Sequence, residues 1–167
     1  MAFEFRVTRR VEFSETDMAG IMHFSNFFRF METAEHAFLR SLGFSVALER
    51  THPGLHLPRV HADCDYFVPL RFEDEVEIHL LVARKKSRSL TYQFRFCRLG
   101  GAAPVEVARG HVTVVCACSQ PGGRMAATTF PPELASLLEE APADLLAQPP
   151  VREFVTPAPN QSPNPVK

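Results

Sequence analysis

No charge of either sign dominates the sequence. Eighteen Lys and Arg stand against 19 Asp and Glu, for a net charge of −1, and the pI is near 6.7. A nucleic-acid or membrane-surface protein would carry a basic excess, so neither is expected as a partner, although a local basic patch remains open. No apolar run approaches the roughly 18 residues that span a bilayer. The start, Met1-Ala2-Phe3-Glu4, has neither the basic residues nor the apolar stretch of a signal peptide. None of the four cysteines (Cys64, Cys97, Cys116 and Cys118) stands in a CxxC pair, which leaves buried free thiols as the reading. A cytoplasmic location is the expectation that follows. Tryptophan is absent while phenylalanine occurs 15 times. Most of these belong in a core, and Phe24, Phe27, Phe28 and Phe30 can also wall a pocket. No internal repeat is visible.

What is present suits one ordinary domain. The chain has 167 residues, 46% hydrophobic and 22% charged, enough for a core of useful size. Residues 3–13 alternate, with Phe3, Phe5, Val7, Val11 and Phe13 on one side and Arg9 as the only break. That pattern predicts a half-buried strand. Phe27, Phe30, Met31, Ala34, Phe38 and Leu42 recur at steps of three or four. They predict an amphipathic helix of about five turns, with Ser25 as N-cap and Gly43 just past its end. An irregular stretch over 45–58 precedes four alternating runs. These start near Val60, Val76, Leu90 and Val105, and the last continues to Cys118. Its phase slips between Val107 and Val112, which predicts a β-bulge around Gly110. Short polar connections fit an antiparallel meander. Pro132 opens a short helix reaching Glu140. The domain is expected over 1–141, followed by a Pro-rich tail over 142–167 that is disordered or loosely attached. The fold class is α+β. One helix cannot cover both faces of a five-stranded sheet, so an uncovered face or edge calls for a partner.

Chemistry concentrates between the first strand and the helix. Ser14-Glu15-Thr16-Asp17 is an acidic turn, and Gly20 permits a tight reversal. Asp17 thus stands just before a helix N-terminus, where unpaired N–H groups carry partial positive charge. Such an end can hold a developing oxyanion while a carboxylate attacks a carbonyl or activates water. Asp17 is also the kind of residue that simply stabilises turns. Glu15 reads as solvated, though its charge could raise the pKa of Asp17. Glu32, on the helix, is a reserve carboxylate. Arg84-Lys85-Lys86-Ser87-Arg88 is the densest basic cluster, either a solvated hairpin turn or a phosphate-binding patch. Arg59 and Arg71 are weaker candidates for the same role. His52, His56, His61 and Asp63 fit no common ligand spacing, so no metal is expected.

Three motifs carry a family resemblance. They are Glu15-Thr16-Asp17-x-x-Gly20-Ile21, then Asn26-Phe27-x-Arg29-Phe30-x-Glu32, then Asp65-Tyr66-x-x-Pro69-Leu70-x-x-x-Asp74. Together with the strand order, over roughly residues 3–130, the chain resembles the hotdog-fold acyl-CoA thioesterases of the 4-hydroxybenzoyl-CoA thioesterase-like group. The resemblance implies a five-stranded antiparallel sheet wrapped around one long helix. It also implies homodimers with a continuous sheet, often homotetramers, and active sites built from both subunits. The implied reaction is hydrolysis of an acyl-CoA thioester without a metal or other cofactor, coenzyme A being part of the substrate. Asp17 matches the family's carboxylate, as nucleophile or general base. The carbonyl-polarising N–H falls at Phe24, with Gly20 shaping the turn. The sequence departs from the pattern at Phe13, where some members carry Tyr, and at Phe24, where some carry His. The imidazole stands one place earlier, at His23, which can face the substrate or the carboxylate. Phe27 replaces a frequent Tyr and joins the substrate-binding set with Arg84, Lys85, Lys86, Ser87 and Arg88. A hotdog dehydratase and a non-catalytic acyl-CoA-binding protein are the competing readings.

Overall fold

The apolar stripe of the long helix dictates the architecture. In a computed structural model, which describes residues 1–150, helix α1 spans Asn26–Ser41. It buries Phe27, Phe30, Met31, Ala34, Phe38 and Leu39. Removing each large side chain from water contributes about 1.5–3 kcal/mol, so this one face is a main source of the fold's stability. The surface receiving it is the concave side of a five-stranded sheet. Its strands are β1 (Glu4–Arg10), β3 (Arg59–Tyr66), β4 (Glu75–Lys85), β5 (Ser89–Arg98) and β6 (Val105–Val115). They lie in the order β1-β4-β5-β6-β3, every neighbouring pair antiparallel. Ile78, Leu80, Tyr92, Phe94, Phe96, Val112 and Val114 present the inner side chains, all buried. This is the predicted α+β arrangement of a sheet wrapped around one helix.

Several boundaries differ from the sequence reading, each for a physical reason. β1 stops at Arg10, and Phe13 falls in a turn of 3-10 helix, its ring 75% exposed and edge-on to Phe72 at 5.9 Å. Arg9, the break in the alternation, points inward. Its guanidinium lies 4.7 Å from the Phe30 ring centroid and 3.6 Å from the Glu15 carboxylate. The bulge lies at Val107: Phe96 pairs with Ala108 while Cys97 pairs with Glu106. Gly110 has another task. A Cβ there would come within 2.5 Å of Met31 Cε and 2.7 Å of the Asp63 carbonyl oxygen. The strand expected to run on to Cys118 breaks at Cys116. β7 (Ala117–Ser119) instead joins β2 (Leu55–His56) and β8 (Met125–Ala127) in a separate three-stranded sheet.

The outer face of the main sheet is polar. Arg95, Glu106, Gln93 and His79 are buried there, and Arg109 grips Glu106 through two bonds of 2.6 and 2.8 Å. The predicted helix from Pro132 is a single turn, α2 (Pro132–Ala135). The tail expected from residue 142 is seated over its first part. At and just after the end of α3 (Ala143–Leu146), Arg95 bonds the Leu145 carbonyl and the Gln148 side chain, and Arg109 bonds the Gln148 carbonyl. Residues 151–167 of that tail lie outside the described residues. What the main sheet leaves uncovered is an edge at either side, β1 and β3. β3 pairs on one side only, with β6, and most of its residues are exposed. Among the described residues, no helix is long and apolar enough to cross a membrane.

Candidate active site

A short reversal carries Asp17. The Asp17 N–H donates to the Ile21 carbonyl and the Gly20 N–H returns to the Asp17 carbonyl, both at 2.9 Å. Gly20 sits at φ 71°, a left-handed conformation that favours glycine. Oδ1 of Asp17 accepts the Ala19 N–H at 2.8 Å, which fixes the carboxylate's orientation. Glu15 is spent elsewhere, accepting the Glu12 N–H at 2.8 Å and facing Arg9. It is tied down rather than solvated.

The helix enters through a tightened first turn. Ser25 is itself helical and makes no side-chain cap. Instead Asn26, Phe27 and Phe28 N–H groups donate back three residues, to His23, Phe24 and Ser25. The His23 carbonyl thus points along the helix toward Asn26, at 2.9 Å. In a trans peptide the N–H points opposite to the C=O, so the Phe24 N–H faces away from the helix. It has no hydrogen-bond partner among the described residues, as expected of a helix-entry donor. The Glu15 carbonyl binds this entry to the acidic turn, accepting the His23 N–H at 2.8 Å and the Asn26 side-chain Nδ2 at 2.8 Å. Asn26 is buried, and its clasp is a function that sequence spacing alone does not disclose.

These elements meet in a cavity of about 440 Å³. Asp17 contributes the polar group, Ile21, Met22, Phe24 and Phe27 come from the reversal and the helix entry, and Tyr66 to Leu70 form the opposite wall. The Val107 bulge shapes that wall: one carbonyl accepts both the Phe67 and Val68 N–H, at 2.8 and 3.1 Å. The Met22 N–H joins the two walls through the Leu70 carbonyl at 2.7 Å.

The other sequence candidates fall in different places. His23 is exposed, off the cavity lining, with Nδ1 2.8 Å from Ser25 Oγ and its ring tilted over Phe24. Glu32 and Arg59 contact each other at 3.4 Å, and Arg59 is held at 2.6 Å by the buried Glu35. Burial outweighs the guanidinium and pushes the Glu35 carboxyl up to about 7. Arg84, Lys86, Ser87 and Arg88 are exposed at the β4–β5 hairpin, and the last three line a second cavity of about 360 Å³. Lys85 is set apart from them. Its Nζ donates to the Ala135 and Leu138 carbonyls, both at 2.6 Å, which makes it a clasp for the turn after α2. His52 faces Glu133 and His56 faces Ser119. His61 and His111 flank Asp63 at 2.8 and 2.9 Å.

A five-stranded antiparallel sheet wrapped around one long helix is the hotdog fold. Solved structures share it. The 4-hydroxybenzoyl-CoA thioesterase of Pseudomonas sp. strain CBS-3 superposes with a TM-score of 0.71 at 22% identity, over 82% of this chain and 100% of that one. A gentisyl-coenzyme A thioesterase superposes with a TM-score of 0.66 at 29% identity, over 78% of this chain and 98% of that one. The family model of the thioesterase-like superfamily matches residues 11–138. The chain therefore belongs to that superfamily, a family of thioester hydrolases. A 1,4-dihydroxy-2-naphthoyl-CoA hydrolase of Prochlorococcus marinus is 30% identical over 101 residues, covering 56% of this chain and 67% of that protein.

Proposed function

We propose that the chain is an acyl-CoA thioesterase acting on an aromatic acyl group, with Asp17 and the Phe24 N–H as its reactive pair. The observation that carries this reading is that Asp17, its carboxylate fixed, and Phe24, whose helix-entry N–H has no partner among the described residues, line the same apolar cavity. The thioester oxygen accepts the Phe24 N–H, where the field of a 16-residue helix favours developing negative charge. Asp17 then attacks the carbonyl carbon or takes a proton from an attacking water. Attack by Asp17 forms a mixed anhydride and expels the CoA thiolate, and water then opens the anhydride to the free acid. Attack by the activated water gives the acid and the thiolate directly. In both routes the thiolate takes up a proton. Phe24, Phe27, Tyr66 and Phe67 supply ring surface around the acyl group. That surface suits an aromatic acid, as do the aromatic substrates named for the relatives. The chemistry assigned to Asp17 and the backbone needs no metal or further cofactor.

The basic hairpin serves the same substrate from a second subunit. β4 runs 11 residues from Glu75, beside the acidic turn, to Lys85. At about 3.3 Å per residue, the hairpin and Asp17 of one chain stand roughly 30 Å apart. Pairing of two β3 edges in an antiparallel dimer brings the hairpin of one copy toward the cavity of the other. There Arg84, Lys86, Ser87 and Arg88 meet the CoA phosphates. The test is thiol release from benzoyl, hydroxybenzoyl, phenylacetyl and aliphatic CoA esters, with the mass in solution measured by light scattering. Turnover confined to aromatic esters by a dimer or larger assembly supports the reading. Saturable binding without thiol release turns it into that of a binding protein. A monomer that hydrolyses normally overturns the shared site.

A further inference from the structure

Tyr66, the last residue of β3, reaches the helix entry from the edge of the sheet. It pairs with Ala108, immediately before the Val107 bulge turns the following residues into the cavity wall. Its ring meets Phe27 edge-on at 5.2 Å, which fixes where the phenol points. Its hydroxyl donates to the Phe24 carbonyl at 3.3 Å. Burial together with the neighbouring Cys64 pushes the phenol up to about 12, so it remains a donor at neutral pH.

That contact addresses the weakest anchor at the entry. The Phe24 carbonyl accepts two long bonds, each 3.3 Å, from the Phe27 N–H within the turn and from the Tyr66 hydroxyl, and the Phe24 side chain is 59% exposed. The residues around it are better held. Glu15 grips His23 and Asn26, and the His23 carbonyl is engaged by the Asn26 N–H. Phe24 carries both the N–H assigned to the thioester oxygen and the carbonyl that Tyr66 engages. The two groups lie in adjacent peptide planes that meet at the Phe24 Cα, so a bond to the carbonyl restrains the Cα from which the N–H starts.

We infer that Tyr66 is a positioning residue, which holds the Phe24 carbonyl from the edge strand and so fixes the Cα from which the Phe24 N–H is presented to the thioester oxygen. This rests on the reading that Asp17 and the Phe24 N–H are the reactive pair, and it adds a residue that touches neither reacting atom. It also couples catalysis to the strand whose free edge receives the second subunit.

Tyr66→Phe keeps the ring and removes only the donor. With benzoyl-CoA, kcat falls about tenfold while KM stays within twofold and the melting temperature is unchanged. A direct readout uses the carbonyl stretching band of benzoyl-CoA bound to Asp17→Asn protein. Adding Tyr66→Phe shifts that band back toward its position in free substrate. An unchanged kcat and band, or a raised KM with kcat intact, overturns the inference and leaves Tyr66 a pocket wall. Asp17→Asn alone separates the two levels. If it hydrolyses normally, the reactive-pair reading fails whatever Tyr66→Phe does. If it is inactive while Tyr66→Phe matches the parent protein, only the Tyr66 inference fails.

Discussion

The two ends of the main sheet are built on opposite terms. At the Asp17 end, a single carboxylate sits among aromatic and aliphatic walls, and backbone bonds determine its setting. At the hairpin end, Lys86, Ser87 and Arg88 line an open surface, with their charges exposed to water. The first end can do chemistry on an apolar group and offers nothing to a phosphate. The second can neutralise phosphates and has no reactive pair. A CoA ester needs both kinds of surface, so the separation of the two ends within one chain is itself an argument for a second copy.

The comparison predicts effects of different sizes. Replacing Asp17 by Asn removes the reactive group and should lower kcat by about three orders of magnitude, roughly 4 kcal/mol, with KM nearly unchanged. Steady-state thiol release checks this, and surviving turnover would deny the Asp17 end its role. The core joining the two ends carries its own signature. Glu35 is raised from 4.5 to about 7, so the folded state holds its proton more tightly than the unfolded state. The stabilisation is complete below about pH 4.5 and is lost as pH rises through 7, a change of about 3 kcal/mol. Urea unfolding across that range should show the slope, and Glu35→Gln should flatten it.

At the hairpin, Lys86→Ala with Arg88→Ala should raise KM for the CoA ester about 10- to 30-fold and leave kcat intact. Hydrolysis of a truncated pantetheine thioester should be unaffected. Mixing Asp17→Asn chains with the double hairpin variant gives a sharper outcome. If the hairpin serves the partner, each mixed dimer regains one intact site and activity returns. If it serves its own chain, mixing restores nothing. The smallest effect is expected next door. Lys85→Met should cost about 1 kcal/mol of stability through its lost carbonyl bonds, without changing KM. A KM change as large as that of the hairpin pair would return Lys85 to the phosphate set.

What the sequence made legible was local in the chain. Asp17, Gly20 and Phe24 lie within eight residues, so their juxtaposition before a helix follows from strand, turn and periodicity. The strands followed from alternation in the same way but not their order, since a meander would set β3 beside β4 and β3 instead pairs with β6. Contacts between distant positions were not legible. Lys85 looked like its neighbours until its Nζ was found on carbonyls some 50 residues away. Arg9 broke an alternation whose reason is Phe30 on the helix. The Val107 bulge and the Gly110 gap both register as a slip of phase. Only the pairing tells which residue bends the strand and which makes room. Arg95 and Arg109 received the segment after α3 on a face that alternation marks as solvent-facing.

Gly110 has a consequence for comparing this chain with its relatives. One obstacle to a side chain at that position is Met31, which a smaller residue could relieve. The other is the Asp63 carbonyl at 2.7 Å, a main-chain atom that no substitution removes. A side chain at this place therefore requires the backbone of β3 or β6 to shift from where it runs in this protein. A single letter in an alignment thus reports on the path of the edge strand, and through it on the angle at which the proposed second copy would join.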